Sequence, residues 1–579
     1  MKSKQFPRDP DVRNHLTQII MNPIFQDKWK QVLYKLCSVD TSPKVDIEQS
    51  RIAEEQVFQQ IQDVLESFQF PSSSIERHPI NPAIQSHPAF SNLHYTITPE
   101  NPLGLDPHVV YKNRYNLLYI IQGDSTPNGR NPALNAHVDV VAPYFPPQIE
   151  DSYLIGRGAV DDKGNVCVIL GALDALQRYL LQTKQPLRNR ITSMFVIEEE
   201  TGGNGSLSLA VDKGLRQMYD SMMVFECTEK NIHPANRGAV WFKVDTLLNH
   251  TTNSSSESCS LLEALFYAIR TMQEEGMKIK AESDHPLFPH RPVQTCNGIL
   301  GPFGEHPSRI CGYFSCLFTG DFAKKEWDTI ESLLQQGLHT YLHHFGDKTQ
   351  ELNPETGLPK VEQHYILRTV EDSVYELEVF GSTGHMGSLP ENDAAITKAA
   401  YMLVPVIQYR IKNNLPPFIT LKNHSTPSSL SLEGGQGFLP THTIDTIQSR
   451  LQAVCNQGIT QYTKEVGVSP AMITATTTFD KLHNTAFEGD SHAPSMQVAW
   501  QTGIELGTIT PDQPIRGWDV SCDARLFATE YPELPVLTTG VGSLRYAHAD
   551  GERCYLPDLF QMMLFAALYL IRETHTLDI

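Results

Sequence analysis

Apolar residues along this chain come in short runs whose spacing switches between helical and strand periods. From Ile24 to Phe68 they recur as in a helix, with Trp29, Val32, Leu33 and Leu36 on one face. Asn116 to Ile121 and Ala133 to Val141 read as strands. After Lys163-Gly164, the residues Val166, Ile169, Leu170, Leu173 and Leu176 return to helical spacing, and Thr192 to Ile197 and Met222 to Phe225 are strands again. This β/α alternation predicts a doubly wound sheet with a crevice at the carboxyl ends of its strands. Near Gly238 the texture changes. His250 to Ser258 is polar and predicts a loop, and Glu282 to Phe303 is rich in Pro, His and Gly and shows no clear period. Val374 to Phe380 alternates (Tyr375, Leu377, Val379) as a half-buried strand does, and a helix follows from Asp393 to about Ile411. From Glu488 the β/α texture resumes, with Pro535 to Gly542 as strand and turn and a helix from Asp558. No internal repeat is visible. The pattern describes one α/β domain interrupted by an inserted second domain.

At 579 residues the chain is too long for a single hydrophobic core, which agrees with that division. Its 40% hydrophobic and 19% charged residues exclude a disordered chain. A net charge of -20 argues against nucleic acid as a partner, since phosphate binding needs a basic face. The same charge leaves a small substrate open, because one positive metal site can sit in an acidic protein. The opening MKSKQFPRDPDVRN lacks the apolar run of a secretory signal. No apolar stretch reaches the ~18 residues of a membrane span, and the longest, around Phe560 to Ile571, reads as a buried helix. Ten cysteines without CxxC pairs signal neither a zinc ribbon nor a disulfide framework, so a reducing cytoplasm is the expected location.

Five strings place acids or histidines at the ends of predicted strands. In Ala136-His137-Val138-Asp139 the two polar residues share one strand face, where a carboxylate can anchor the second nitrogen of a metal-bound imidazole. Gly156-Arg-Gly-Ala-Val-Asp161-Asp162-Lys163-Gly164 sets two acids at a helix start, which plain N-terminal charge also favours. Ile197-Glu198-Glu199-Glu200-Thr201-Gly202-Gly203 puts three acids directly after an apolar strand; a solvated turn tolerates them, a buried crevice only with cations. Val224-Phe225-Glu226-Cys227-Thr228 ends a strand, and Tyr546-Ala547-His548-Ala549-Asp550-Gly551-Glu552 follows a Gly-rich turn. Singly, each fits an ordinary strand-end or loop residue. Jointly they converge on one crevice, and two His with three or more carboxylates form an N/O donor set suited to Zn²⁺ and related divalent ions. A metal hydrolase is the reading that pattern supports.

The wording and order of these strings resemble the M20 family of metallopeptidases and amidohydrolases, over about Phe25–Gly238 and Tyr375–Glu573. The resemblance implies a doubly wound, mixed-sheet catalytic domain, here 1–240 and 486–579, with an inserted α+β lid domain, here 241–485 and enlarged by an extra segment. It implies a zinc-dependent hydrolase that cuts the amide bond of a small peptide or N-acyl amino acid. Two Zn²⁺, replaceable by Co²⁺ or Mn²⁺, would be held with Asp161 as the bridge, His137 and Glu226 completing one site, and Glu200 and His548 the other. Glu199 matches the family's general base for a metal-bridging water, and Asp139 the carboxylate that orients His137. Asp162 would lie behind the ligands, at a position where the family often has a cis peptide. His385, in Gly381-Ser-Thr-Gly-His385-Met-Gly-Ser, matches the lid histidine that stabilises the oxyanion, often across a dimer. Arg525 could meet a substrate carboxylate or form a structural ion pair.

The chain departs from the family in one respect. More than a hundred residues separate Arg237-Gly238 from His385, where members pass quickly to the lid strand. This segment could enlarge the lid, cover the cleft or replace the dimer contact, so a homodimer stays open. Two other readings also stay open: a deacetylase or desuccinylase of a small metabolite on the same fold, and a metal-free, peptidase-like binding module.

Overall fold

The computed structural model describes residues 9–124, 129–249, 259–353, 357–422, 428–479 and 483–575; the polar stretch His250 to Ser258 lies outside them. The chain divides into two compact units. One comprises Met1–Gly238, Pro286–Pro289 and Lys481–Ile579, the other Ala239–His285 and His290–Asp480.

The first unit is built on a six-stranded mixed sheet. Its order is Ser73–Pro79, Tyr115–Ile121, Ile191–Val196, Pro132–His137, Ser221–Phe225 and Val536–Thr539. The first three strands pair antiparallel and the last four pair parallel. The four strands from Tyr115 to Phe225 are buried at every position, which is why they read as continuous apolar runs. The helical reading from Ile24 resolves into Pro23–Cys37 and Ile47–Glu66, whose first turns are capped by the side chains of Asn22 and Asp46. A preceding helix, Asp9–Ile20, packs against Lys163–Thr183 and Leu556–His575, and Pro23–Cys37 packs against Lys163–Thr183. The apolar run Phe560 to Ile571 lies inside the helix Leu556–His575 and is buried at every position but Gln561. Among the described residues no helix is long and apolar enough to cross a membrane.

The second unit holds a topology that the sequence pattern does not reveal. Strand Gly238–Leu248, helix Leu261–Glu282 and strand Thr295–Leu300 are completed by strand Ser429–Phe438, helix Ile444–Val466 and strand Ile473–Thr478. Between the two halves sits a second set of the same kind. It runs through strand Tyr313–Thr319, helix Lys324–Phe345, strands Tyr365–Glu371 and Val374–Phe380, helix Ala395–Lys412 and strand Ile419–Thr420. Counting strands within each set, both sheets have the order 2-3-1-4. The expectation of no internal repeat therefore fails at the level of topology: the order of strand and helix periods recurs without recurrence of the residues. Strand Thr295–Leu300 also falls in the stretch that gave no period, because it is buried on both faces and carries no alternation.

One buried acid makes the second unit sensitive to pH. Glu263, 2% exposed, accepts hydrogen bonds from the Tyr462 hydroxyl (2.9 Å) and the Phe418 N–H (3.4 Å). Burial, only partly offset by Tyr462, pushes its carboxyl up to about 7. The unfolded chain releases this proton near the ordinary value while the folded chain holds it, so stability falls as pH rises through that interval and levels off above pH 7. The full effect is about 3 kcal/mol. Denaturant midpoints measured from pH 4 to pH 8 are expected to show this decline and, in Glu263→Gln, to lose it.

Candidate metal centre

The carboxyl ends of the parallel strands carry the acids and histidines singled out in the sequence. His137 is the last residue of its strand, Glu226 follows Ser221–Phe225, the acids 198–200 follow Ile191–Val196, and Asp161 precedes the helix that starts at Lys163. His548 lies in the turn region between Val536–Thr539 and Leu556–His575 and has a left-handed backbone, φ 60°. Two triads form from them: His137, Asp161 and Glu226, and Asp161, Glu200 and His548. Within each, ligand atoms lie no more than 4.8 Å apart, and all five residues are buried. Asp161 belongs to both, turning Oδ1 to His137 Nε2 (3.2 Å) and Oδ2 to His548 Nε2 (3.1 Å). His548 Nε2 also stands 3.0 Å from Glu200 Oε2, and His137 Nε2 stands 3.7 Å from Glu226 Oε1.

The surroundings fix these groups. His137 Nδ1 meets the backbone carbonyl of Asp139 at 3.0 Å, so the neutral ring carries its proton there and turns the Nε2 lone pair toward the triad. The strand ends at His137, and the argument that Asp139 shares its face does not hold. The Asp139 carboxylate is 3.4 Å from Nδ1 and also accepts the backbone N–H groups of Glu199 (3.2 Å) and Glu200 (3.0 Å). Asp162, joined to Asp161 by a cis peptide, accepts the His137 N–H and the Asn165 amide (2.6 Å). Two residues with no assigned role in the sequence reading hold the bridge. Glu552 accepts the N–H groups of Val160 and Asp161 through Oε1 and pairs through Oε2 with the fully buried Arg157 at 2.7 Å. Gly540 must be glycine, because a Cβ there would stand 2.3 Å from the Glu226 carbonyl oxygen.

Of the three consecutive acids, Glu198 turns away from the triads and is neutralised by Arg114, with Nη1 to Oε1 at 2.6 Å. Glu199 is partly exposed, and its carboxylate accepts no hydrogen bond from the described residues. Burial, then the charge of Asp523, pushes Glu199 well above the usual carboxylate range. Burial, then Asp161 and Asp162, does the same to Glu226. His548, against the effect of burial, is raised to about 10 by Glu200 and Asp161.

The donor set fits a pair of divalent cations. The carboxylates of Asp161, Glu200 and Glu226 and the imidazoles of His137 and His548 make an N/O set of the kind zinc takes. Among the described residues the buried His137 Nε2 makes no hydrogen bond, although Asp161 Oδ1 and Glu226 Oε1 stand 3.2 and 3.7 Å from it, and the three ligand atoms lie within 4.8 Å of one another.

Two candidates remain, Arg525 and His385. Arg525 is buried, donates to the Gly202 carbonyl (2.8 Å) and stands 3.9 Å from the Asp523 carboxylate. His385 belongs to the second unit, in the loop between Val374–Phe380 and Ala395–Lys412, and its backbone bridges to Arg309. Its Nδ1 accepts the Gly387 N–H at 2.9 Å, so the neutral ring carries its proton on Nε2. The loop is closed at its base, where Ser382 N–H donates to the Asp393 carbonyl and Asp393 is held by Tyr341 (2.7 Å) and Lys398.

Comparison with known proteins agrees with this arrangement. A probable carboxypeptidase from Trichophyton verrucosum is 29% identical over 143 residues, which is 23% of this chain and 29% of the relative. The chain thus spans under a third of the length of the curated relatives it matches. Human carnosine dipeptidase 1 (TM-score 0.56, 12% identity) and a di-peptidase from Saccharomyces cerevisiae (TM-score 0.57, 13% identity) share the fold. Each is matched over 98% of this chain, and over 100% and 99% of its own chain, respectively. The profile of peptidase family M20/M25/M40 matches residues 133–572, from the strand that ends in His137 to the last helix beyond His548. The chain belongs to that family, and the sheet whose strand ends gather the two triads, with its separate antiparallel sheets, is the M20 fold.

Proposed function

We propose that the protein is a two-metal hydrolase that cleaves the amide bond of a small peptide or N-acyl amino acid. The observation that carries this reading is the division of Asp161, whose two carboxylate oxygens face different histidines of two buried triads. The similarity to a probable carboxypeptidase and to two dipeptidases supports a small peptide as substrate. His137, Asp161 and Glu226 would hold one zinc, and Asp161, Glu200 and His548 the other. Zinc bound there would polarise the scissile carbonyl and lower the pKa of water. Glu199, close to both triads and with a carboxylate that accepts no hydrogen bond from the described residues, takes the proton from the attacking water on that carboxylate and delivers it to the leaving amine nitrogen. Asp139 keeps Glu199 and Glu200 in place through their backbone N–H groups. His385 is the proposed donor to the developing oxyanion, through the proton on Nε2.

The test is a panel of dipeptides and N-acyl amino acids, assayed after chelation and after adding Zn²⁺ or Co²⁺. Turnover of at least one class is expected, lost on chelation and restored by the ion. Turnover confined to N-acetyl or N-succinyl metabolites would move the substrate to the deacylase reading. Protein that takes up no metal would overturn the proposal.

A further inference from the structure

The residues that would hold the metals all lie within the family match, yet the turn that carries Glu199 and Glu200 is gripped from outside it. Glu198, immediately before them, has a left-handed backbone at φ 67° and a side chain that is 3% exposed. Its Oε1 accepts from Arg114 Nη1 (2.6 Å) and from the Tyr95 hydroxyl, and its Oε2 from the Tyr111 hydroxyl (2.8 Å). Arg114 is in turn fixed by a fork on Glu54, Nε to Oε2 at 2.9 Å and Nη2 to Oε1 at 2.5 Å. Asn204 donates to the Tyr111 hydroxyl at 2.9 Å, which ties the clamp to the helix on the far side of the same turn. Glu54, Tyr95, Tyr111 and Arg114 all precede residue 133, where the family match begins.

A bidentate guanidinium pair out of solvent has one good geometry and resists rotation. A non-glycine residue in the left-handed region costs energy unless its surroundings hold it there. Here the side chain is held at both oxygens, so the backbone direction leaving Glu198 is set, and with it the starting positions of Glu199 and Glu200. Asp139 holds the N–H groups of those two residues from the other side. We infer that Glu54, Arg114, Tyr95 and Tyr111 form a positioning clamp on Glu198 that aims Glu199 and Glu200, so that the segment preceding the family match is part of the catalytic apparatus. The inference rests on the function proposed above, in which Glu199 moves the proton and Glu200 holds a metal.

The test compares the full-length Glu54→Gln/Tyr111→Phe double variant with Glu199→Gln and the parent. Both substitutions keep the Arg114–Glu198 pair, and Tyr111→Phe alone serves if the double variant does not fold. On the substrate found in the panel, the clamp variant is expected to lose about 10- to 100-fold in kcat with KM nearly unchanged, since small misplacements of reacting groups cost that much. Metal-free protein titrated with Co²⁺ and followed by visible absorption gives a second readout. One of the two equivalents is expected to bind about ten-fold more weakly, as when a group behind a ligand is lost. A folded clamp variant that matches the parent in both kcat and Co²⁺ isotherm, while Glu199→Gln is inactive, would overturn the clamp alone. Full turnover in Glu199→Gln with a shifted isotherm in the clamp variant would instead remove Glu199 from its role and leave the clamp standing.

Discussion

Glu199→Gln is expected to bind two equivalents of metal and to turn over about 10³-fold more slowly than the parent, within the range that positioned acid–base groups contribute. The substitution preserves shape and removes only the ability to take and return a proton. The backbone N–H of residue 199 stays bonded to Asp139, so the turn keeps its path, and neither triad contains this side chain. Stopped assays for kcat, together with elemental analysis of the same preparation, check both halves of the expectation. A variant that keeps its metal and its full rate would show that another group carries the proton. A variant that loses metal would show that Glu199 is a ligand.

The second large effect belongs to Asp161. Each of its oxygens stands near 3 Å from a different histidine, so an amide in place of the carboxylate removes a charge and puts an NH₂ group where one triad needs an acceptor. Asp161→Asn is expected to fall from two bound zinc ions to one or none and to lose measurable turnover. His548→Ala, which touches one triad, is expected to lose one ion. The fold should survive the change at 161, because Glu552 holds this loop by the backbone N–H groups of Val160 and Asp161. Zinc content by mass spectrometry, with circular dichroism for the fold, decides the matter; two equivalents retained in Asp161→Asn would mean that the bridge lies elsewhere.

These expectations start from residues that were legible in the chain. The parallel strands are buried on both faces, so each appears as an apolar run, and a polar residue that ends such a run stands at the crevice. His137, the acids after Val196 and Glu226 could be found this way. The family resemblance then ordered them, with Asp161 and His548, into two triads, and the structure gathers those residues. Less could be read where a partner is distant or where no period exists. Asp139 seemed to share a strand face with His137, but the strand stops at His137, and the side chain serves the turn of Glu199 and Glu200 as well. Glu552 is 392 residues from Val160, and Arg114 is 84 from Glu198, and nothing in local spacing announces either pair. The run of three acids looked uniform, although one of them is spent on an arginine. The second unit hid its repeat for a different reason: a strand–helix set is specified by the order of its periods, and two sets can share that order with no residues in common.

The claim on which the rest depends is that the triads are two halves of one binuclear centre. Crystals of the zinc-loaded protein, with anomalous differences collected at the zinc edge, address it most directly. The account predicts two peaks on either side of Asp161, one within about 2.0–2.2 Å of His137 and Glu226 ligand atoms and the other equally close to Glu200 and His548. Peaks placed on other side chains, or a fully loaded protein with no zinc between these residues, would contradict it.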